Sequence, residues 1–305
     1  MAATPMHDVL EGRETLISGL LDGQGSVELV DVYPRLAPEG YGPEYMPVRA
    51  ARVSFGMGLK TPEADNKLLE YLLTNQHTSP FEMCGATFRL HLPKAIAIHF
   101  LRHRTFSFNE FSQRYAEVGD APVDGRPEFY RPVEYAEGIR LSSDFNKQGS
   151  RLPRSRDDQM IAILARDKMI ELDAMMDQIH KGYHDLCNMG VAKEIARFYL
   201  PCSEYTTLFM HGNIHNFMKM FKLRADHHAQ HETVVYARAM MQLLEPIFPK
   251  SIGYLKSQQE GMYLTKEEIE SLRSGVTTGI KSVSGRAALT EKAAKLGLSL
   301  DADPV

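Results

Sequence analysis

The alternation of apolar and polar residues predicts several strands in this chain. Strands are expected at residues 26–34 and 86–93, where side chains alternate in character along each segment. A third is expected near Tyr205, and another through the segment VRAARVSF, which ends at Phe55. Residues 1–25 show at most one short helix. Strands therefore occur early, centrally and late in the chain.

Apolar residues at three- and four-residue spacing predict helices between these strands. Thr61 can cap a helix that has Pro62 at its first position, and residues 157–189 form a long amphipathic pattern that Gly190 ends. Further helices are expected from Pro93 into the sequence RHR, at residues 192–200, 213–224 and 226–244. The pattern predicts an α+β fold, a single compact domain with a mixed sheet and long helices.

The predicted elements divide the chain into three regions. Residues 1–25 are expected to be an N-terminal extension and residues 26–250 the compact domain. Within that domain, residues 119–156 are rich in Pro, Gly, Arg and Asp and are expected to form an irregular excursion. Residues 251–305 are expected to be a partly flexible C-terminal extension that is loosely packed at its end.

Charge and composition narrow the classes of partner. The chain of 305 residues has 35 Lys and Arg against 39 Asp and Glu, for a net charge of -4. This balance disfavours nucleic-acid and polybasic membrane binding. There is no apolar run long enough to span a bilayer and no signal-like N-terminus. Three widely spaced cysteines suit a reducing compartment, so we expect a cytoplasmic protein.

The densest polar segment is RHRTFSFNEFSQRY, residues 102–115. Its arginines can bind phosphate or carboxylate, and Phe106, Phe108 and Phe111 alternate with the polar residues as in a segment folded into a cleft. We expect a phosphate-bearing small molecule there. The alternatives are a solvated basic helix end and a non-catalytic RNA- or nucleotide-binding segment.

A second cluster, KLRADHHAQHE, is rich in histidine. On one helix, Arg224 and His228 would share a face, as would His227 and His231. These histidines suggest a zinc hydrolase as an alternative, but the glutamate expected after the first histidine of a zincin helix is absent. There are two other interpretations. The histidines could cap helices, pack and form hydrogen bonds at a subunit or ligand interface, or Arg224 could bind a ligand directly. We expect no metal.

Two other segments contain residues that could be catalytic or bind a ligand. Cys202 follows a proline but lacks an adjacent base, so a small buried residue at a helix end is expected rather than a nucleophile. Residues 75–82 read as a helix end and turn. The two glycine-rich motifs of nucleotide-binding proteins, GxGxxG after a strand and GxxxxGK(S/T), are both absent from the sequence. Any nucleotide or flavin is therefore expected to bind without a Rossmann fingerprint or a P-loop.

At these residues the chain resembles the flavin-dependent thymidylate synthases. Their signature, RHR followed by seven residues and Ser, is matched from Arg102 to Ser112, and the surrounding NE-x-S-x-RY pattern is matched too. Further matches, in order along residues 26–245, are ARVSF at 51–55, the segment HTSPFE at 77–82 and LRADHHAQHE at 223–232.

The resemblance implies a reductive methylation. In that family, dUMP is methylated at C5 to give dTMP, 5,10-methylenetetrahydrofolate supplies the carbon, and tetrahydrofolate is released. Reduced FAD supplies the hydride and NADPH regenerates it. The enzymes are homotetramers with active sites at subunit interfaces, and no enzyme cysteine attacks the pyrimidine.

The resemblance also assigns site residues. Arg224 would be catalytic, stabilising negative charge on the uracil. Contacts to dUMP would come from His99, Arg102, Glu110, Phe111, Ser112, Gln113, Arg114, Arg197 and Arg224. Contacts to FAD would come from Ser54, Ser79, Arg102, His103, Arg104, Glu110, Asn213, His215 and Lys219. Three positions depart from the family: His99, where glutamine is common, His215, where arginine also occurs, and Lys219, where asparagine or histidine is more usual.

Overall fold

A computed structural model describes most of the chain as two compact units. It describes residues 6–56, 58–116, 129–135, 137–143, 149–260, 264–277, 280 and 283–300. The units are Met1–Tyr254 and Leu255–Val305. The larger unit contains every residue of the expected site.

The strands of the described residues assemble mainly into one antiparallel sheet. They are β1 (Met6–Asp8), β2 (Leu16–Leu20), β3 (Gly25–Tyr33), β4 (Leu36–Pro38), β5 (Gly85–Pro93), β6 (Ser107–Glu110), β7 (Leu141–Ser142), β8 (Ser150–Arg151) and β9 (Tyr205–Asn213). Five of them form the main sheet in the order β2-β3-β5-β9-β6, and β1-β4 and β7-β8 form separate pairs. The long strands β5 and β9 lie at its centre, paired along their full length from Gly85–Asn213 to Pro93–Tyr205.

The described residues also form helices, which occur in both units. They are α1 (Tyr45–Ala51), α2 (Pro62–Thr74), α3 (Lys94–Leu101), α4 (Arg156–Asn188), α5 (Lys193–Ala196), α6 (Ile214–Arg224), α7 (His231–Leu244), α8 (Pro249–Glu260), α9 (Lys266–Ser274) and α10 (Val283–Lys295). Short 3₁₀ helices occupy Arg52–Phe55, Ser79–Met83, Pro132–Glu134 and Arg197–Tyr199. Helices α3 and α6 pack against β5 and β9, while α7 packs against β2 and β3.

The core lies between one face of the sheet and these helices. On β5, the alternate residues Phe88 and Leu90 are fully buried, as the period of two in a strand requires. The Phe88 ring meets the Phe217 ring of α6 edge to face, with centroids 5.5 Å apart. Phe106 packs edge to face on the same Phe217 ring at 4.8 Å. Gly212 of β9 lies so close to Phe106 that a methyl group there would collide with the ring.

Many predicted elements are confirmed. The strands at 26–34 and 86–93 correspond to β3 and β5, and the strand near Tyr205 is β9. The hydroxyl of Thr61 caps α2 by accepting from the Ala64 amide at 3.3 Å. The long helix α4 ends beside Gly190, which has a positive φ of 88°. An α+β body with a central sheet and long helices is therefore confirmed, but the described strand pairs of that sheet are antiparallel, where a mixed sheet was expected.

Several local predictions are wrong. The segment VRAARVSF is helical, with α1 followed by the 3₁₀ helix Arg52–Phe55, because Tyr45 and Val48 are buried on one helical face. The described part of residues 1–25 contains the strands β1 and β2 instead of a helix, and β2 pairs with β3. The last predicted helix begins at His231, after a turn, and not at Asp226.

Two further regions contain regular elements where loosely packed or irregular chain was expected. The end of the chain, expected to be loosely packed, contains α9 and α10, and Leu289 and Ala293 of α10 are buried. Within the expected excursion at 119–156, residues 119–128, 136 and 144–148 lie outside the described part of the chain. The described remainder includes the β7-β8 pair.

The helices of the described residues do not have the length and apolar character needed to span a bilayer. Each of them is too short or too polar to cross one.

Candidate active site

The RHR segment, residues 102–104, lies on a turn that joins α3 to the sheet. Helix α3 ends at Leu101, and Arg102 forms its C-terminal cap. Phe106 is buried under the turn, whereas Arg102 and Arg104 are exposed. The chain then continues as β6, which pairs with β9. Burial of the phenylalanine fixes the turn and leaves both arginines at the surface.

Arg224 contacts this turn directly. Its Nε donates a hydrogen bond to Nε2 of His103 across 3.0 Å. Burial lowers the pKa of the His103 imidazole, and the charge of Arg224 lowers it further. Burial also lowers the pKa of Arg224, with a second contribution from the positive charge of Arg102. His103 is thus held neutral as an acceptor, and it orients a partly buried guanidinium.

His99 lies one helical turn before this arginine cluster. Burial lowers the pKa of His99 first, and Arg224 lowers it too, while Glu232 and a hydrogen bond with Gln230 act in the opposite direction. Gln230 is the N-cap residue of α7 and Glu232 lies in its first turn. The start of α7 therefore closes one side of the cluster, and Gln230 was not predicted from the sequence to take part.

Glu110 is held by two residues that the sequence did not identify. Its Oε1 accepts a hydrogen bond from the Thr206 hydroxyl at 3.0 Å and lies 3.4 Å from Nζ of Lys94. Lys94 begins α3 and Thr206 lies on β9. The pairing of β6 with β9 brings these groups together, so only the sheet register could have revealed them.

The segment after β6 brings the remaining predicted dUMP residues into one region. The hydroxyl of Ser112 accepts from the Arg114 amide at 3.4 Å, and Gln113 is buried. The guanidinium of Arg114 forms an ion pair with Glu194 of α5 at 2.9 Å. Arg197 follows Glu194 by three residues, so the arginine-bearing segments lie side by side. Phe111 is 38% exposed next to them.

The residues predicted to hold FAD fall into two groups. Arg102, His103 and Arg104 lie on the turn after α3, and Glu110 lies on β6, which follows that turn. The others lie at the N-cap and in the first half of α6 and on two 3₁₀ helices: Ser54, Ser79, Asn213, His215 and Lys219. The helix that Ser79 begins packs against α6. A cavity of about 520 Å³ is lined by Ser79, Pro80 and His77 together with Arg52 and Tyr71.

Side-chain contacts at this second group are consistent with an open binding surface. The side-chain oxygen of Asn213 caps α6 by accepting from the Asn216 amide at 2.9 Å. Burial and the charge of Lys219 lower the pKa of His215, whereas Glu82 raises it. Ser54, Ser79 and Lys219 are exposed.

The two groups point in different directions from α6. His215 and Arg224 are nine residues apart, which corresponds to about 13 Å along a helix axis. At about 100° per residue they also lie on opposite faces, whereas Lys219 lies near the His215 face. Within one chain, Arg224 and the His215–Lys219 pair therefore face opposite sides of α6.

The predicted helical histidine cluster is not formed. The helix ends at Arg224, and a turn separates it from α7. His231 is bonded to the Tyr135 hydroxyl at 2.8 Å, away from His227 and His228. Among the described residues, Asp226, His227 and His228 have potential ligand atoms within 4.8 Å of one another. The three-histidine set of the zinc hydrolase alternative is therefore not supported.

Cys202 is exposed, not buried as predicted, because it lies on the turn that precedes β9. Its carbonyl accepts from the Ala95 amide at 2.8 Å and so helps to cap α3. Its backbone therefore has a structural role at the start of the helix that carries His99. Cys84 is buried and Cys187 lies in α4.

Known proteins are similar to this chain over most of its length. Residues 36–250 match the family model described as "Thymidylate synthase complementing protein". A flavin-dependent thymidylate synthase of Dictyostelium discoideum is 36% identical over 252 residues, 82% of this chain and 78% of the relative. One of Treponema denticola is 34% identical over 241 residues, 77% of this chain and 84% of the relative.

A solved structure is similar in fold. The UMP/dUMP methylase PolB from Streptomyces cacaoi, bound with 5-Br UMP, superposes with a TM-score of 0.61 and 27% identity. The match covers 77% of this chain and 94% of that chain. The family model, which covers most of the chain, places this protein in the class of thymidylate synthase complementing proteins. The chain belongs to the family of flavin-dependent thymidylate synthases.

Proposed function

We propose that this protein converts dUMP to dTMP, with 5,10-methylenetetrahydrofolate as carbon donor and NADPH as the source of reducing equivalents. The observation that carries this proposal is the partly buried Arg224, oriented by His103 and next to Arg102. All three occupy motif positions of the family. The cluster offers positive charge where a uracil ring would develop negative charge.

The geometry suggests how the chain handles dUMP. Because Nε of Arg224 donates to His103, the terminal N–H groups of the guanidinium are left to stabilise negative charge on the pyrimidine. Arg102, Arg114 and Arg197 would bind the phosphate bidentately. His99, Glu110, Phe111, Ser112 and Gln113 would surround the nucleoside. In this proposal, Ser112 positions the substrate and does not attack it. Among the described contacts, its hydroxyl accepts from the Arg114 amide, and no side chain that could act as a general base contacts it.

The residues near the N-terminus of α6 fit FAD. Exposed hydroxyls at Ser54 and Ser79 and the Lys219 ammonium suit the polar and anionic parts of a dinucleotide, as do Arg102, Arg104 and His103 of the arginine cluster. The remaining candidates are Glu110, Asn213 and His215. Reduced FAD, when bound, supplies the hydride that completes the methyl group. The chain's own contribution is to bind it beside the uracil and exclude water.

We further propose that the active site is shared between chains of a homotetramer. Arg224 and the His215–Lys219 pair lie on opposite faces of α6, so one chain does not surround both ligands. Helix α4 also exposes an apolar stripe that a neighbouring chain would cover: Met160, Ile161, Ile163, Leu164, Ile170, Leu172, Met175 and Ile179. Free and widely separated cysteines suit a cytoplasmic enzyme.

Turnover with defined substrates tests the proposal. The purified protein, supplied with FAD, NADPH, 5,10-methylenetetrahydrofolate and dUMP, should form dTMP and tetrahydrofolate in equal amounts, measured by mass spectrometry. A parallel reaction with UMP is needed because the similar structure belongs to a UMP/dUMP methylase. Methylation of UMP alone, or no methylated product, would contradict the proposal.

A further inference from the structure

The C-terminal half of α4 brings two imidazoles together outside the candidate active site. His180 and His184 are one turn apart, and their Nε2 atoms lie 3.0 Å from each other. Their ring centroids are 4.7 Å apart and the rings are inclined by 68°. Two nitrogen lone pairs can therefore converge on one point between the rings.

A buried carboxylate lies behind this pair. Glu204, immediately before β9, is 1% exposed, and neither of its carboxylate oxygens has a hydrogen-bond partner among the described residues. Its Oε1 is 3.7 Å from Nδ1 of His180, and that Nδ1 also has no such partner. An uncompensated buried carboxylate is costly. In many proteins a carboxylate orients a metal-binding histidine by accepting a hydrogen bond from its outer ring nitrogen, and Glu204 lies just beyond hydrogen-bond distance from Nδ1 of His180.

The separation of the Nε2 atoms matches a metal-ligand pair. With metal–nitrogen distances of about 2.0–2.1 Å, two ligands at right angles would be about 2.9 Å apart and two tetrahedral ligands about 3.3 Å. The observed 3.0 Å lies within this range. Square-planar and tetragonal nitrogen sites favour Cu²⁺ or Ni²⁺.

We propose that His180 and His184 form a binding site for a divalent first-row transition metal ion, with Glu204 as a positioning residue. The ion replaces the proton shared by the two Nε2 atoms, while His180 keeps Nδ1–H toward Glu204. Water completes the coordination on the side of His184, which is partly exposed. The positive charge offsets the buried carboxylate. This site is separate from the proposed methylation chemistry and does not depend on it.

The exposed group at Asp226 is a weaker candidate for the same ion. The side chains of His227 and His228 are 76% and 71% exposed, and Nδ1 of His228 is already bonded to Asp226 at 2.7 Å. The carboxylate that contacts these rings in the described part of the chain is that of Asp226, whose side chain is 38% exposed and not buried. This group therefore supplies a matched control, since it also contains two histidines close together.

Calorimetric titration with Ni²⁺ tests the site in the full-length, untagged protein after dialysis against a chelator. We expect one Ni²⁺ bound per chain. His180→Ala and His184→Ala should each weaken binding at least 100-fold, and Glu204→Gln should weaken it about 10- to 100-fold. His228→Ala should bind Ni²⁺ as the wild type does.

Circular dichroism and thermal unfolding confirm that each variant is folded. His184 is partly exposed, so His184→Ala keeps the test decisive if the substitution at buried His180 disrupts folding. Three results would overturn the proposal: no saturable Ni²⁺ binding by the wild type, unchanged binding by His184→Ala, or loss of binding in His228→Ala.

Discussion

At the scale of single residues, the account rests on the guanidinium of Arg224 and the neutral imidazole that orients it. Arg224→Ala should lower kcat about 100- to 1,000-fold, because removing one preorganised charge-stabilising donor costs about 3–4 kcal/mol of barrier. Arg224→Lys should not restore activity. The planar guanidinium can donate to His103 through Nε and to the substrate through its terminal nitrogens at the same time, and an ammonium cannot reproduce that geometry.

Rates of dTMP formation, with flavin content as a check, measure this effect. Lys222→Ala is a suitable control because Lys222 is exposed on the same turn of α6. Near-wild-type kcat in either Arg224 variant would place the charge-stabilising role elsewhere.

The state of His103 leads to a pH prediction. Burial and Arg224 lower the pKa of His103 below its ordinary value of 6.5, so the imidazole is neutral at pH 7. As the pH falls through that lowered pKa, protonation removes the acceptor for Arg224 and places two cations side by side. The acid limb of kcat against pH should therefore lie below pH 6.5. A limb at or above 6.5 would show that His103 is not held neutral.

The cysteines distinguish this mechanism from the cysteine-dependent route to dTMP. Cys202→Ala, and the variant with Cys84, Cys187 and Cys202 all replaced by Ala, should keep most of their activity. Any loss should come from stability, at about 1 kcal/mol per buried change. The assay follows dTMP and the folate product together. Dihydrofolate as the product, or a folded triple variant that binds FAD but makes no dTMP, would contradict the flavin mechanism.

At the scale of elements, a buried ion pair fixes the segment that carries Ser54. Nη1 of Arg52 lies 2.5 Å from Asp65 of α2, and the two side chains are 7% and 2% exposed. Asp65 also accepts from the Tyr41 hydroxyl and the Lys60 amide. Asp65→Ala should therefore lower the free energy of unfolding by about 3–5 kcal/mol, because it leaves a buried charge without its partner.

Urea denaturation measures this change. Glu63→Ala on the same helix is the control, because Glu63 is exposed and contributes at most about 1 kcal/mol through the helix dipole. Equal losses in the two variants would mean that the ion pair does not hold the segment.

Elements with strong local signals could be predicted from the sequence, and those set by distant contacts could not. Thr61 and Pro62 mark the start of α2 by local chemistry alone. In contrast, β6 is a strand only because β9, about a hundred residues away, supplies its hydrogen bonds. The same pairing places Thr206 on Glu110, and a similar long-range approach places Glu204 behind His180. Family motifs indicated Arg224 and His103, but not the bond between them.

At the scale of the whole molecule, the exposed stripe of α4 predicts assembly. Mass measured by light scattering should be four times the chain mass of 34.4 kDa. Ile163→Lys and Leu164→Lys together should shift it toward smaller species and reduce FAD binding, because both residues lie in the stripe. Asp167→Asn, at an exposed polar position of α4, should leave the mass unchanged. A monomeric wild type with full activity would contradict a shared site.

The central claim is that electrons pass through bound flavin to the methyl group of dTMP. Its most direct test is the visible spectrum of the purified protein with FAD under anaerobic conditions. We predict that NADPH bleaches the flavin absorbance, and that dUMP with 5,10-methylenetetrahydrofolate restores it while one dTMP forms per flavin reoxidised. Protein that acquires no flavin spectrum, or dTMP formed while the flavin stays reduced, would contradict the account.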